Sequence, residues 1–137
     1  MVKNDEKNIS RTIESIQNQN FKNFEHIVID GKSNDNTLRK VLSYRNIDIV
    51  ISEKDNGIYY AMNKGLKNSK GEVILFVNSG DLITKNALNI VYKKFISRKI
   101  DFVFGTVRRH YIKNTILKYG YNFKKLYYNF DFATSHS

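Results

Sequence analysis

Residues 72–81 constrain the fold of this chain more than any other stretch. Residues 73–77 (Val-Ile-Leu-Phe-Val) are consecutive apolar residues, mostly β-branched or aromatic, which Gly71 precedes and a polar turn with Gly80 follows. This pattern is typical of a strand buried on both faces, in a largely parallel sheet covered by helices. The carboxyl end of such a strand opens into the crevice where α/β proteins bind ligands.

The polar residues after this strand are Asn78, Ser79, Gly80 and Asp81. A carboxylate at a strand end, beside a flexible glycine, suits a hard divalent cation that carries phosphate oxygens. Asp is also a favoured N-cap residue, so it could equally cap a following helix. The pattern alone leaves both interpretations of Asp81 open.

Composition excludes several classes of protein. A chain of 137 residues is expected to form one domain, and with no cysteine it has neither disulfides nor a thiolate metal site. No apolar run approaches the ~20 residues that cross a bilayer, so we predict a cytoplasmic protein. Residues 1–63 hold nine basic and nine acidic side chains. Residues 64–137 hold fourteen basic and four acidic side chains, so this half accounts for the whole net charge of +10. A basic half can attract nucleic acid, anionic lipid or a phosphorylated substrate. The alternative is an ordinary solvent-exposed surface that is rich in lysine.

Apolar spacing predicts alternating helices and strands, the pattern of an α/β fold with a mostly parallel sheet. The chain has no internal repeat or low-complexity tract. The predicted elements are a helix over residues 9–16, a strand over 25–30, a helix from Thr37 with Leu38, Val41 and Leu42 on its inner face, a strand over 48–52, a helix over 58–68, the strand over 73–77, a helix marked by Leu88, Val91, Tyr92 and Phe95, and a strand over 102–106.

Three acidic residues follow predicted strands: Asp30, Asp55 and Asp81. In a parallel sheet all three lie along one edge. Each has a structural explanation of its own, since Asp30 can stabilise the turn after it, Asp55 can form an Asp-Asn-Gly turn, and Asp81 can cap a helix. Three together at the ligand-binding edge favour a functional site.

Four motifs resemble family-2 glycosyltransferases, in the family's order and over residues 4–81. The stretch V-I-D-G-K-S-N-D-N-T at 28–37 resembles V-V-D-D-G-S-T-D-G-T, and S-E-K-D-N-G-I-Y-Y-A-M-N-K-G at 52–65 is similar to S-E-x-D-x-G-I-Y-D-A-M-N-K-G. F-V-N-S-G-D at 76–81 resembles F-L-N-S-G-D, a variant of the family's metal-binding D-x-D element. Residues 8–16 with Gln19 resemble the family's first helix. The branch that builds bacterial cell-surface polysaccharides is the most similar.

The resemblance implies a GT-A fold, a Rossmann-like sheet that binds a nucleotide-sugar with Mg²⁺ or Mn²⁺. Asp30 matches the aspartate that contacts the nucleotide base, and Asp81 matches the last D-x-D aspartate, which ligates the metal. Asp55, Asn63 and Lys64 match the wall of the nucleotide-sugar pocket. The other two D-x-D acids are replaced by Asn78, which is expected to orient the sugar or a metal-bound water, and by Gly80.

The resemblance also implies that both ends of the family's domain are incomplete in this sequence. Residues 2–4 match only the tail of the family's first strand, and the family's acceptor half continues beyond this sequence, so the chain alone is expected to be inactive. We predict a nucleotide-sugar-binding part at about residues 1–106 and the start of an acceptor region at about 107–137. His136 is either an acceptor-side residue or simply solvated, and no catalytic residue is identified.

The predicted function is transfer of a sugar from a nucleotide-diphospho-sugar, UDP- or GDP-linked, to a saccharide or lipid-linked acceptor. Basic and tyrosine-rich residues at 107–128 suggest peripheral binding to an anionic membrane surface. One alternative is a non-catalytic nucleotide-sugar-binding remnant. Another is a basic nucleic-acid-binding module, which does not explain carboxylates at three strand ends, so no nucleic-acid partner is expected.

Overall fold

The computed structural model describes residues 1–97, 101, 103, 108–110 and 116–118. The chain forms two compact units, Met1–Lys99 and Ile100–Ser137. In the second unit, β3 (Arg108–His110) pairs antiparallel with β4 (Ile116–Lys118). Of the strand predicted over residues 102–106, only residue 103 is among the described residues, and His136 lies outside them. No helix in the described part of the chain is long and apolar enough to cross a bilayer.

The first unit alternates helices with strands, as the apolar spacing predicted. Its elements are α1 (Ile9–Gln17), β1 (Ile27–Asp30), α2 (Thr37–Leu42), β2 (Ile49–Ser52), α3 (Ile58–Asn68) and α4 (Ala87–Ser97). The two strands pair in parallel, from Ile27 opposite Ile49 to Asp30 opposite Ser52. A parallel bridge from Val2 to Asp30 lies on the other edge of β1.

The core lies on the α1 and α2 side of this sheet. Its members are Val2, Ile9, Ile13, Val28 and Val41, of which Val41 is fully buried. Ile9 and Ile13 are four residues apart, so they share one face of α1. Burial of each such side chain stabilises the fold by about 1.5–3 kcal/mol.

Helix α3 covers the opposite face of β1. Ala61 is its buried residue. A Cβ built at Gly65 lies 3.7 Å from a side-chain carbon of Ile29, so the helix backbone approaches the strand closely at that point. Val28 and Ile29 thus face opposite layers, as neighbouring residues of a strand do, and β1 is the doubly covered strand of the unit.

The prediction of a buried strand over residues 73–77 is wrong. The segment has no strand hydrogen-bonding pattern, and Val73, Ile74, Leu75 and Phe76 are between 37% and 51% exposed. Its only backbone neighbour in the described residues is Met1, which accepts from the Ser79 amide and donates to the Val77 carbonyl. A segment becomes a central, buried strand when neighbouring strands pair with it along its whole length. Here the described backbone pairing of residues 73–77 is limited to the Val77 carbonyl at the carboxyl end of the segment.

The assignment of Leu42 to the inner face of α2 is also wrong. Leu42 is 64% exposed, whereas Val41 is fully buried. Successive residues of a helix are turned by about 100°, so a helix of six residues buries one of these two neighbours and exposes the other.

Candidate functional site

The ends of three chain segments meet at one edge of the sheet. Asp30 and Ser52 are the paired last residues of β1 and β2. On the other side of β1, the Val2 amide donates to Ile29 and the Gly31 amide donates to Val2, both at 2.9 Å. The Met1 α-amino group in turn donates to the Val77 carbonyl at 2.8 Å. The loops that follow Asp30, Ser52 and Val77 therefore begin at the same edge.

Asp30 is fully buried at the end of β1. Its Oδ2 accepts from the Ser52 hydroxyl at 2.6 Å and from the Ser33 amide at 3.0 Å, while its Oδ1 accepts from the Ser33 hydroxyl. Three donors stabilise the carboxylate in this position, and one of them ties the β1 turn to the end of β2. The two carboxylate oxygens offer about four acceptor sites. Sequence reasoning missed Ser33 as a partner of Asp30.

Asp55 lies against the glycine that follows Asp30. A Cβ built at Gly31 lies 2.9 Å from the Asp55 Oδ2 and 3.3 Å from a Lys3 side-chain carbon, so a side chain at this position would require these two side chains to shift. The Asp55 Oδ1 accepts from the Gly57 amide at 3.2 Å, as in an Asx turn. Gly57 has a φ of 124°, a conformation that favours glycine. The structure therefore brings Asp30 and Asp55 to neighbouring turns.

Lys64 reaches from α3 back to the loop that contains Asp55. Its Nζ lies 3.0 Å from the Glu53 Oε1 and donates to the Lys54 carbonyl at 3.1 Å. Its neighbour Asn63 is exposed. The residues predicted to form the pocket wall thus lie on the loop that contains Asp55 and on α3, and Lys64 connects this loop to the helix.

The turn at residues 78–81 carries the exposed Asp81. Its amide donates to the Asn78 carbonyl at 3.1 Å, and Gly80 has a φ of 90°, which makes glycine the favoured residue there. The Ser79 hydroxyl donates to Asp5 at 2.6 Å. Asp5 is a carboxylate beside this turn that the sequence analysis did not identify.

Helix α1 holds this turn and the segment after it with polar side chains. The Thr12 hydroxyl accepts from the Gly80 amide at 2.9 Å, and the Ser15 hydroxyl accepts from the Ile83 amide at 3.3 Å. Gln19, which is 1% exposed, donates to the Thr84 carbonyl at 2.8 Å and accepts from the Leu88 amide at 3.1 Å. Thr12 and Ser15 lie on α1, and Gln19 lies two residues beyond its end. This polar spacing was the available signal for a helix that binds a loop.

The N-terminal loop is tied to the β1–α2 turn. The Asn4 amide donates to the Ser33 hydroxyl and the Asp5 amide donates to the Thr37 hydroxyl, both at 2.8 Å. Thr37 also hydrogen-bonds Asp35, and this interaction lowers the pKa of the Asp35 carboxyl below its usual value. Asp5 therefore links this turn to the turn that carries Asp81.

Two further groups have a shifted pKa because they are buried. Burial lowers the pKa of the Met1 α-amino group, against the opposing effect of the nearby Asp81 carboxylate. Burial also lowers the pKa of His26, with Asp48 acting in the opposite direction.

The described residues contain no cluster of three or more carboxylate or histidine groups that could hold a metal ion. Asp81 presents an exposed carboxylate on a glycine-containing turn that also includes Asn78. Mg²⁺ commonly uses one or two carboxylates and completes its coordination with substrate phosphates and water. The donor set thus fits a cation that arrives with a diphosphate.

Comparison with known proteins gives one consistent family. A model of Glycosyl transferase family 2 matches residues 1–136. The chain is 34% identical over 104 residues to the UDP-Glc:alpha-D-GlcNAc-diphosphoundecaprenol beta-1,3-glucosyltransferase WfgD of Escherichia coli, covering 74% of this chain and 41% of WfgD. It is 34% identical over 108 residues to the poly(ribitol-phosphate) beta-N-acetylglucosaminyltransferase TarP of Staphylococcus aureus, covering 74% of this chain and 33% of TarP.

Solved structures of TarS from S. aureus have a similar fold. The structure of TarS 1–349 with UDP superposes with a TM-score of 0.65 at 33% identity, and that with UDP-GlcNAc with a TM-score of 0.65 at 32% identity. These superpositions cover 70% of this chain and 30% or 29% of TarS. The chain spans less than half the length of each of these relatives. The predicted α/β fold with a parallel sheet is confirmed.

Proposed function

Because the chain belongs to glycosyl transferase family 2 and has its GT-A fold, we propose that it forms the nucleotide-sugar-binding part of a glycosyltransferase. This enzyme transfers a sugar to a saccharide or lipid-linked acceptor during assembly of a bacterial cell-surface polysaccharide. The observation that carries the proposal is the meeting of the Asp30, Asp55 and Asp81 loops at one edge of the sheet. In α/β folds, ligands bind at that edge.

The proposed donor is a UDP-sugar. The similar TarS structures are complexes with UDP and with UDP-GlcNAc, and WfgD is named for UDP-Glc. GDP-linked sugars remain a second class to be compared in the same assay. The base is assigned to the β1 end, where Asp30 either contacts it directly or fixes Ser33 and Ser52 beside it.

Asp55, Asn63 and Lys64 are assigned to the wall of the donor pocket. The Lys64 ammonium already bonds Glu53 and the Lys54 carbonyl, which fixes the loop next to Asp55. A positive charge in this position also attracts the diphosphate. The role of this side of the pocket is to orient the donor, since positioning alone supplies a large part of many rate enhancements.

Asp81 is the proposed ligand of Mg²⁺ or Mn²⁺, with Asn78 orienting the sugar or a metal-bound water. A divalent cation offsets the charge that develops on a departing nucleoside diphosphate. The chain's own contribution is to present the carboxylate on a turn that Thr12 and Asp5 hold in place. No catalytic base is assigned, and the enzyme is proposed to act in the cytoplasm, at the inner face of the membrane.

Thermal unfolding of the purified chain with UDP, UDP-GlcNAc, UDP-Glc and GDP, each with and without Mn²⁺, tests this function. A ligand that binds only the folded state raises the midpoint, by an amount equivalent to about 2.7 kcal/mol at 100 times its Kd. We expect a metal-dependent rise with UDP ligands. The variant Asp81→Asn should lose the metal-dependent part, whereas Glu72→Gln, at the far end of the same segment, should retain it. Absence of any nucleotide effect on the parent chain would contradict the proposal.

A further inference from the structure

Asp5 places a second carboxylate at residues 78–81, the turn that presents Asp81. Its Oδ2 accepts from the Ser79 hydroxyl at 2.6 Å, and its Oδ1 accepts from the Asn8 side-chain amide at 2.7 Å. A carboxylate has about four acceptor sites, so these two bonds leave roughly half of them for other donors. Asp5 is only half-buried. Its carboxylate therefore retains acceptor capacity on a partly exposed residue.

Residue 80 of the same turn contributes no charge of its own. Gly80 has a φ of 90°, a conformation that residues with a side chain rarely adopt, so an acidic residue there would be strained. Apart from its chain neighbours, the nearest described atom to a Cβ built at Gly80 is the Asp5 Oδ2, at 3.9 Å. A carboxylate from the N-terminal loop thus lies against a turn whose own acidic residue is Asp81.

The backbone of Asp5 is fixed independently of this turn. Its amide donates to the Thr37 hydroxyl at 2.8 Å, and its carbonyl accepts from the Ile9 amide at 3.1 Å. Thr37 is fully buried, and Ile9 belongs to the core. The Asp5 carboxylate therefore stays beside the turn without depending on the turn for its position.

We propose that the Asp5 carboxylate supplies the second negative charge of the cation site at Asp81. Asp81 remains the direct ligand, and Asp5 acts through its charge and as an acceptor for metal-bound water. Mg²⁺ usually keeps several waters when one or two carboxylates and substrate phosphates bind it. The inference rests on the proposed function, because it concerns the same cation, and it adds to that site a residue from a different loop.

The charge of Asp5 has opposite effects on a nucleoside diphosphate with and without the cation. Without a cation, a carboxylate beside the turn repels the diphosphate. With a divalent cation, the same carboxylate attracts the ion that the diphosphate shares with Asp81. A residue that only maintains the fold would instead change both affinities in the same direction. The sign of the two changes therefore separates a charge effect from a structural one.

Asp5→Asn removes the charge and preserves both hydrogen bonds. The new amide oxygen can accept from Asn8, and the new amide nitrogen can donate to the Ser79 hydroxyl, which is both a donor and an acceptor. Glu6→Gln is the matched control. Glu6 is also half-buried, and its Oε2 accepts from the Asn36 amide at 2.8 Å, on the side of the β1–α2 turn. This control removes an equal charge one residue away.

Titration calorimetry of the full chain with UDP, in EDTA and in Mn²⁺, measures both affinities. With Mn²⁺, Asp5→Asn should bind UDP at least about fivefold more weakly than the parent chain. In EDTA it should bind UDP as tightly as the parent or up to about threefold more tightly. Glu6→Gln should stay within about twofold of the parent in both conditions. Thermal unfolding without ligand should give Asp5→Asn and the parent the same midpoint.

Ser79→Ala tests the same contact from the other side and does not depend on the folding of Asp5→Asn. It keeps the charge of Asp5 and removes one hydrogen bond that holds the carboxylate. We expect a smaller loss of UDP affinity with Mn²⁺ than in Asp5→Asn, and no loss in EDTA. A loss as large as that of Asp5→Asn, or a loss in both conditions, would assign the effect to the hydrogen bond and overturn the inference.

Two results with Asp5→Asn would also overturn it. One is Mn²⁺-dependent UDP binding equal to that of the parent chain. The other is an equal loss of affinity with and without Mn²⁺, which would show a purely structural role. Both results leave the proposed function intact, since the parent chain still binds UDP with the cation. Absence of metal-dependent binding by the parent chain would instead overturn the proposed function and this inference together.

Discussion

Substitution of Gln19 by leucine is expected to destabilise the chain far more than the same substitution at Gln17. Gln17 is the last residue of α1, and Gln19 follows two residues beyond its end. The Gln19 side chain is 1% exposed and makes three hydrogen bonds, to Ser15, Thr84 and Leu88. Among the described residues, the buried Gln17 Nε2 has no hydrogen-bond partner.

The expected magnitudes follow from what each leucine leaves behind. At position 19 it leaves the Leu88 amide, in the first turn of α4, without its cap, and the Thr84 carbonyl without this donor. Loss of a cap costs about 0.5–2 kcal/mol, and an unsatisfied buried group about 1–3 kcal/mol. We therefore expect Gln19→Leu to reduce the free energy of unfolding by about 2–4 kcal/mol, out of a typical total of about 5–15 kcal/mol. Gln17→Leu removes a donor that is already unpaired, so its effect should be close to zero or stabilising.

Urea unfolding followed by circular dichroism measures both effects as changes in midpoint at constant slope. Amide exchange adds a local measurement, because the Leu88 amide should exchange faster in Gln19→Leu and remain protected in Gln17→Leu. Equal destabilisation by the two variants would refute the reasoning, as would a cost below about 1 kcal/mol at Gln19. Either result would mean that the hydrogen bonds from α1 to the segment after Asp81 contribute little.

Three other outcomes are expected. Asp30→Ala should weaken binding of the free nucleoside without metal by roughly 1–3 kcal/mol, measured by calorimetry, and an unchanged dissociation constant would contradict the assignment. Burial lowers the pKa of His26, so the folded chain favours the neutral imidazole, and the free energy of unfolding should fall as the pH drops below 6.5, with a smaller fall in His26→Leu. Basic residues at 107–128 should give salt-sensitive sedimentation with anionic vesicles, at about 1 kcal/mol per cation, and equal sedimentation with neutral vesicles would exclude a charge-driven interaction.

The alternation of helices and strands in the first unit could be predicted from the sequence because apolar spacing and turn residues are local signals. The helix over residues 58–68 begins after Gly57 and has the predicted bounds. Gly57 and Gly80 predicted turns, and the structure shows a positive φ at both. The prediction over residues 73–77 failed because burial of a strand is not a local property. Five apolar residues indicate that a segment prefers an apolar environment, but its pairing depends on neighbours elsewhere in the chain.

The same distinction applies to the candidate site. The shared direction of β1 and β2 accounts for Asp30 and the Asp55 loop at one edge, whereas Asp81 follows a segment that forms no strand in the structure. The bonds from Ser33 to Asp30 span only three residues and belong to the local turn, whereas the contact of Thr12 with Gly80 depends on the approach of a segment 68 residues away. Gly31 illustrates the difference between local and distant information. Its position after a strand predicted a turn, whereas its close contact with Asp55 depends on how two separate loops approach each other.

Polar side chains of α1 connect this site to the incompletely paired side of the sheet. Residues 73–77 have little pairing of their own, yet Thr12 of α1 holds the following turn through Gly80. Ser15 of α1 and Gln19 just beyond it hold the segment after the turn, and α1 packs into the core through Ile9 and Ile13. A segment with exposed apolar residues and few backbone partners opens at low free-energy cost. The hydrogen bonds to α1 act on its carboxyl end, so opening along residues 73–76 need not release the Asp81 turn. The position of Asp81 should therefore depend more on α1 than on the apolar segment that precedes it.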